Sequence, residues 1–160
     1  MEKELEAYLK YHNIKYIEHQ HSAVFTVAES KKIKISIPGV HTKSLFLKDE
    51  NNKYYLVCLP GDKRLNTKYL KEFLNAKELH FCSPEELQNE LKVTPGSVSL
   101  FSMIHSKKTI LILDEELWNA KKLGFHPNLN TSTLEIAHEG LKKFYDSLTA
   151  EKHIINIPQA

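Results

Sequence analysis

Ser44-Leu-Phe-Leu-Lys-Asp-Glu-Asn-Asn-Lys-Tyr-Tyr-Leu-Val-Cys-Leu59 decides the fold class. Two apolar runs, Ser44–Lys48 and Tyr54–Leu59, flank the polar stretch Asp49–Lys53, which is rich in turn formers. Such a pattern predicts two antiparallel strands joined by a hairpin. Outward from it, short strand-like runs recur at Lys15–Glu18, Glu78–Phe81, Thr109–Leu113, Thr133–Ile136 and Ile154–Ile157. Helical signals fall between them. Leu5, Tyr8, Leu9 and His12 follow a 3.6-residue period, predicting a helix over 2–12. Thr26-Val-Ala-Glu29 has capping-box form and predicts a short helix to about Lys32. Asn66 can cap a helix through Phe73. Ser83-Pro84-Glu85-Glu86 combines a cap, a proline at the first helical position and a box-closing glutamate, so a helix should run to about Leu91. Asp114 opens another, and Ala137–Leu148 is the last. Interspersed helices and strands around an antiparallel hairpin imply a mixed α/β (α+β) fold, in which helices flank a mixed, partly antiparallel sheet.

No linker, repeat or low-complexity segment divides residues 1–160, so one domain is expected, with a loose tail after about Glu151. At 160 residues, 41% hydrophobic and 26% charged, the composition is that of an ordinary globular chain. The longest apolar runs, Ile110–Leu113 and Tyr54–Leu59, are far below the roughly 18–20 residues that span a bilayer. The charged start, Met1-Glu-Lys-Glu-Leu-Glu-Ala, does not read as a secretory signal. Two cysteines, Cys58 and Cys82, both in apolar runs, read as reduced, buried thiols, and a cytoplasmic location is expected. A net charge of +2 excludes a protein that coats long nucleic acids, while a local basic patch can still dock one RNA end. Lys63, Arg64, Lys68, Lys71, Lys107 and Lys108 are candidates for that patch, although solvated surface is the simpler reading of each.

The common catalytic signatures are missing: GxxxxGK[ST], GxGxxG and GxSxG do not occur. His19, His21 and His41 lack the further ligands a zinc site needs, so no metal is expected. Three segments instead place polar groups and turn formers at strand ends. Lys43 directly precedes a strand and can hold a phosphate as a point charge. Thr94-Pro-Gly96-Ser-Val-Ser-Leu100 is a turn whose backbone N–H groups can face a carbonyl oxygen. In Gly124-Phe-His126-Pro-Asn128-Leu-Asn130-Thr, Pro127 keeps His126 extended among hydrogen-bonding side chains.

Together, Lys43-Ser-Leu-Phe-Leu-Lys-Asp, Tyr54-Tyr-Leu-Val-Cys-Leu, Pro95-Gly-Ser-Val-Ser and His126-Pro-Asn-Leu-Asn-Thr, in this order and spacing, resemble the free-standing prolyl-tRNA editing domains of the YbaK/ProX family. The likeness extends from about Glu4 to Leu148 and is nearest to the branch that deacylates alanyl-tRNA(Pro). It implies a mixed α/β fold and a trans-editing hydrolase for a mischarged tRNA. It also implies that Lys43 contacts the phosphate of the 3′-terminal nucleotide, that the amides of Gly96–Leu100 hold the aminoacyl carbonyl, and that His126 shapes an alanine-sized pocket. Lys43, Gly96 and His126 are then the catalytic set, with Ser44, Ser97, Val98, Ser99, Leu100, Pro127 and Asn128 around the substrate. Hydrolysis in that family is substrate-assisted through the terminal 2′-hydroxyl, with no cofactor. The implied partners are the aminoacylated 3′ end of a tRNA and, as an open possibility, prolyl-tRNA synthetase, with no membrane or DNA partner. Two positions depart from the pattern. Leu100 stands where the family loop has proline, and Ser44 where asparagine is common. Cysteinyl-tRNA(Pro) or another small-amino-acid ester is the alternative substrate, and a non-catalytic aminoacyl-tRNA or synthetase-associated binding module the alternative class.

Overall fold

The computed structural model of the chain describes residues 1–23 and 36–160. The helix expected at Thr26–Lys32 lies outside these residues. In chain order the elements are α1 (Lys3–Tyr11), β1 (Ile17–Gln20), β2 (Val40–Asp49), β3 (Tyr54–Pro60), α2 (Thr67–Leu74), β4 (Leu79–Phe81), α3 (Pro84–Leu91), a 3₁₀ helix (Leu100–His105), β5 (Ile110–Asp114), α4 (Glu115–Trp118), β6 (Lys122–Phe125), β7 (Ser132–Ala137), α5 (His138–Ser147) and β8 (Lys152–Ile155).

The expected hairpin is the middle of the sheet, with β2 and β3 antiparallel from Thr42↔Pro60 to Lys48↔Tyr54. The order is β1-β7-β6-β2-β3-β5-β8, and β4 also pairs with β2. Pairs β1–β7, β6–β7 and β2–β4 are antiparallel, while β2–β6, β3–β5 and β5–β8 are parallel. The sheet is therefore mixed, as the interspersed pattern implies.

Alternation along β3 sends side chains into two cores. Leu56 and Cys58 join Leu5 and Leu9 of α1, Leu141 and Phe144 of α5, and Leu100, Phe101 and Met103 of the 3₁₀ helix. Phe101 meets Phe125 and Phe144 edge-on, with centroids 5.5 and 5.0 Å apart. Tyr55, Val57 and Leu59 point the other way, to Leu47, Leu70 of α2, Ile112 and Ile157. Each such buried side chain contributes about 1.5–3 kcal/mol.

The caps form as the residues dictate. Asn66 Oδ1 accepts from the Tyr69 N–H at 3.0 Å. Ser83 and Glu86 close a full capping box. The Ser83 backbone N–H and the Lys48 ammonium pull the Glu86 pKa down to about 2. Among the described residues no helix is long and apolar enough to cross a membrane.

Two expectations are corrected and one strand is added. The stretch from Leu100 is a 3₁₀ helix rather than loop, because Ser99 caps it and Ser102 closes the box. Residues 122–125 are a strand, which their four-residue length and internal glycine concealed. A Cβ at Gly124 would crowd Thr133 Cγ2 at 3.1 Å. The tail is docked rather than loose: β8 pairs with β5, and Ile157 is fully buried.

Candidate functional site

Strand β2 has different neighbours at its two ends along one edge. Val40 and His41 pair with β6, and Leu47–Asp49 pair with β4. Between these ladders, among the described residues, no strand pairs with Thr42–Leu45 on that edge. The sheet is thus notched at Lys43. Gly39 sets the start of the notch, with φ of 100° and a position where a Cβ would meet the Lys122 carbonyl oxygen at 2.6 Å. Only glycine allows so close an approach of β2 to β6.

Residues that alternate along β2 face opposite sides of the sheet. Lys43 lies on the same side as His41 and Leu45, and lines a cleft of about 320 Å³ with Arg64, Leu65 and Phe81. Ser44 faces the main core, where its hydroxyl is 3.3 Å from Cys58 Sγ. Its side chain therefore lies on the opposite face of β2 from the Lys43 cleft.

The loop after β6 and the loop before the 3₁₀ helix are tied together. Ser102 Oγ accepts from the Ser99 N–H at 3.1 Å and donates to Asn128 Oδ1 at 2.9 Å. Asn128 Nδ2 donates to Glu2 Oε1 at 3.0 Å, and His105 Nε2 donates to the same carboxylate at 2.8 Å. A Cβ on Gly96 would lie 3.7 Å from Asn130 Nδ2. The structure thus brings together Gly96, Ser99, Asn128 and Asn130. Ser99 and Asn128 are buried and spend their side chains on this network, so they hold the loops in place. The Leu100 side chain is fully buried in the main core. Pro127 is buried at the same junction. The Ser97 N–H donates to Thr94 O at 3.0 Å, whereas the N–H groups of Gly96 and Val98 make no hydrogen bond among the described residues. Glu2, Ser102 and His105 were not legible as members of this network. Ser99-x-x-Ser102 was the available signal, as a capping box that uses a serine in place of glutamate.

His126 is largely buried and donates through Nδ1 to Ser132 O at 3.3 Å, which leaves Nε2 as the lone-pair nitrogen. Burial holds its pKa below the ordinary histidine value, and the nearby His21 and His41 add to this. At neutral pH His126 is an uncharged imidazole. His21 itself bonds Thr133 Oγ1 at 2.9 Å, and His19 pairs with Glu135 at 3.0 Å.

The thiols are poor nucleophiles here. Burial pushes Cys58 and Cys82 each up to about 12. Cys82 is half-buried rather than buried, as it follows the edge strand β4. Two of the expected surface lysines also have internal partners. Lys63 is buried, with Nζ 2.8 Å from both Asp114 Oδ2 and Ile157 O. Burial opposes its charge, but Asp114 outweighs it and holds the Lys63 pKa above the usual lysine value. Lys108 pairs with Glu90 and lies 5.3 Å from the Tyr54 ring centroid.

A family model described as the aminoacyl-tRNA editing domain matches residues 21–144. The prolyl-tRNA editing protein ProX of Acetoanaerobium sticklandii is 32% identical over 133 residues, covering 81% of each chain. The prolyl-tRNA synthetase associated domain-containing protein 1 of Danio rerio is 32% identical over 150 residues, covering 91% of this chain and 82% of that one. A solved structure of a hypothetical protein shares the fold, with a TM-score of 0.76 at 21% identity over 93% of this chain and 98% of that one. The chain belongs to the aminoacyl-tRNA editing domain family, and within it to the YbaK/ProX group of prolyl-tRNA editing proteins.

Proposed function

We propose that this protein is a trans-editing deacylase that hydrolyses alanyl-tRNA(Pro), with the substrate's own 2′-hydroxyl assisting the attack of water. The observation that carries this reading is the tie between the Gly96 loop and the Asn128 loop, which fixes two amides, those of Gly96 and Val98, that make no hydrogen bond among the described residues, in the same structure as a neutral His126. An aminoacyl ester is already activated. Its hydrolysis needs orientation and oxyanion stabilisation more than a strong protein base. Lys43 is assigned to the phosphate of the terminal nucleotide, the Gly96 and Val98 amides to the ester carbonyl, and His126 to the wall of the amino-acid pocket. The raised thiol pKa values weigh against a cysteine nucleophile.

Alanine is smaller than proline, so a synthetase cannot exclude it by size. A second, small pocket can admit alanine and reject proline. Cysteinyl-tRNA(Pro) is the competing substrate. A binding module without turnover is the competing class, favoured by the name of the Danio rerio relative, which records synthetase association only. Purified protein is expected to deacylate alanyl-tRNA(Pro) and to spare prolyl-tRNA(Pro). A tRNA ending in 2′-deoxyadenosine should bind yet react far more slowly. Equal rates on the two termini would transfer the role of base to His126. Absence of turnover on alanyl-, cysteinyl- and prolyl-tRNA(Pro) alike would leave the binding module.

A further inference from the structure

We propose that the cleft running from Lys43 to Phe81 receives the unpaired nucleotides that precede the aminoacylated one, with Phe81 as a stacking platform for a base and Arg64 as a contact for the phosphate backbone. The proposal rests on the tRNA reading above and adds a binding subsite to it.

Lys43, Leu45 and Leu47 alternate along one side of β2, and Leu47 is directly paired with Phe81 of β4. Directly paired residues project to the same side of a sheet. The Phe81 ring and the Lys43 side chain therefore share a face. Their separation along the strand is about 13 Å, at about 3.3 Å per residue. Between them lies the cleft of about 320 Å³, floored by Leu45, Leu47 and Leu65 and edged by Arg64.

Phe81 is 68% exposed, which its neighbours in the fold do not explain. It ends a three-residue edge strand, and neither core includes it. Phe73, which is not among the residues lining the cleft, is 42% exposed and meets His153 edge-on at 5.7 Å. The charge pattern selects the occupant. Arg64 and Lys43 both line the cleft. An apolar floor with an open aromatic face and a cationic edge complements a stacked base with its phosphate. Such contacts read backbone and stacking rather than sequence, as suits an end common to all tRNAs.

The test is direct binding of an uncharged, fluorescently labelled RNA minihelix carrying the unpaired 3′ end, measured by anisotropy. Phe81→Ala and Arg64→Ala are each expected to weaken binding by about tenfold, Phe81→Trp to restore it, and Phe73→Ala to leave it unchanged. A blunt minihelix without the unpaired nucleotides should bind wild type and Phe81→Ala equally. Wild-type affinity in Phe81→Ala overturns the proposal and leaves this face to a protein partner. Because Phe81 is exposed, the variant should fold, and Phe81→Leu with an unchanged melting temperature serves as a second probe. The assay needs no hydrolysis, so the two readings fail separately. Phe81-dependent binding without any turnover would refute the deacylase and keep the subsite. Turnover of alanyl-tRNA(Pro) with KM unchanged in Phe81→Ala would keep the deacylase and refute the subsite.

Discussion

Lys43 and Lys63 sit in opposite surroundings. Lys63 is sealed between Asp114 and the Ile157 carbonyl, so its removal strands a buried carboxylate. Lys63→Ala is expected to cost about 3–5 kcal/mol of stability, measured by denaturant unfolding. Lys43 lines an open cleft, and Lys43→Ala should change stability by less than about 1 kcal/mol. Its deacylation should fall by about a hundredfold, because a lost anchor misplaces the ester. Near-normal turnover by a folded Lys43→Ala protein would remove it from the site. The sequence singles out Lys43 as the residue just before a strand-like run, whereas β2 begins at Val40 and holds it inside the strand. The burial of Lys63 was not legible in the sequence, because its partners Asp114 and Ile157 lie 51 and 94 residues away.

At the level of elements, the 3₁₀ helix decides what the departure at Leu100 means. Leu100 is its first residue, where proline's missing N–H is tolerated. Ser99 has φ −152° and ψ 162°, the extended conformation a following proline demands. The leucine side chain is spent on the core instead. Leu100→Pro should therefore keep turnover and selectivity against prolyl-tRNA(Pro), while losing about 1–3 kcal/mol of apolar burial. Parallel thermal melts and deacylation assays check both halves, and loss of turnover in a folded variant would show that leucine shapes the loop. Most helices were readable because caps are local: Asn66, Ser83 and Asp114 each bond an N–H two or three residues on. Strand β6 was hidden, since its partner His41 is remote in sequence and its glycine carries no strand signal.

Across the whole molecule, the last strand closes both the sheet and the second core. Truncation after Glu151 removes the pairing of β8 with β5, the buried Ile157 and one acceptor of Lys63. The expected loss of several kcal/mol lowers the melting temperature by about 10 °C or more. An unchanged melting temperature would mean that the tail is dispensable. The same remoteness governs the candidate site, where the amino-terminal Glu2 braces Asn128 across 126 residues of sequence.

The amino-acid sequence alone determined the class of fold, the hairpin at its centre, the helix caps and the motifs that place the chain in its family. Those are carried by periodicity and by contacts between near neighbours. Only the tertiary structure decided the notch in the sheet at Lys43, the turning of Ser44 toward Cys58, the use of Ser99 and Asn128 as braces, and the alignment of Phe81 with Lys43. Each of these depends on strand register or on partners distant in sequence. A shift of one residue in register would send every side chain of β2 to the other face.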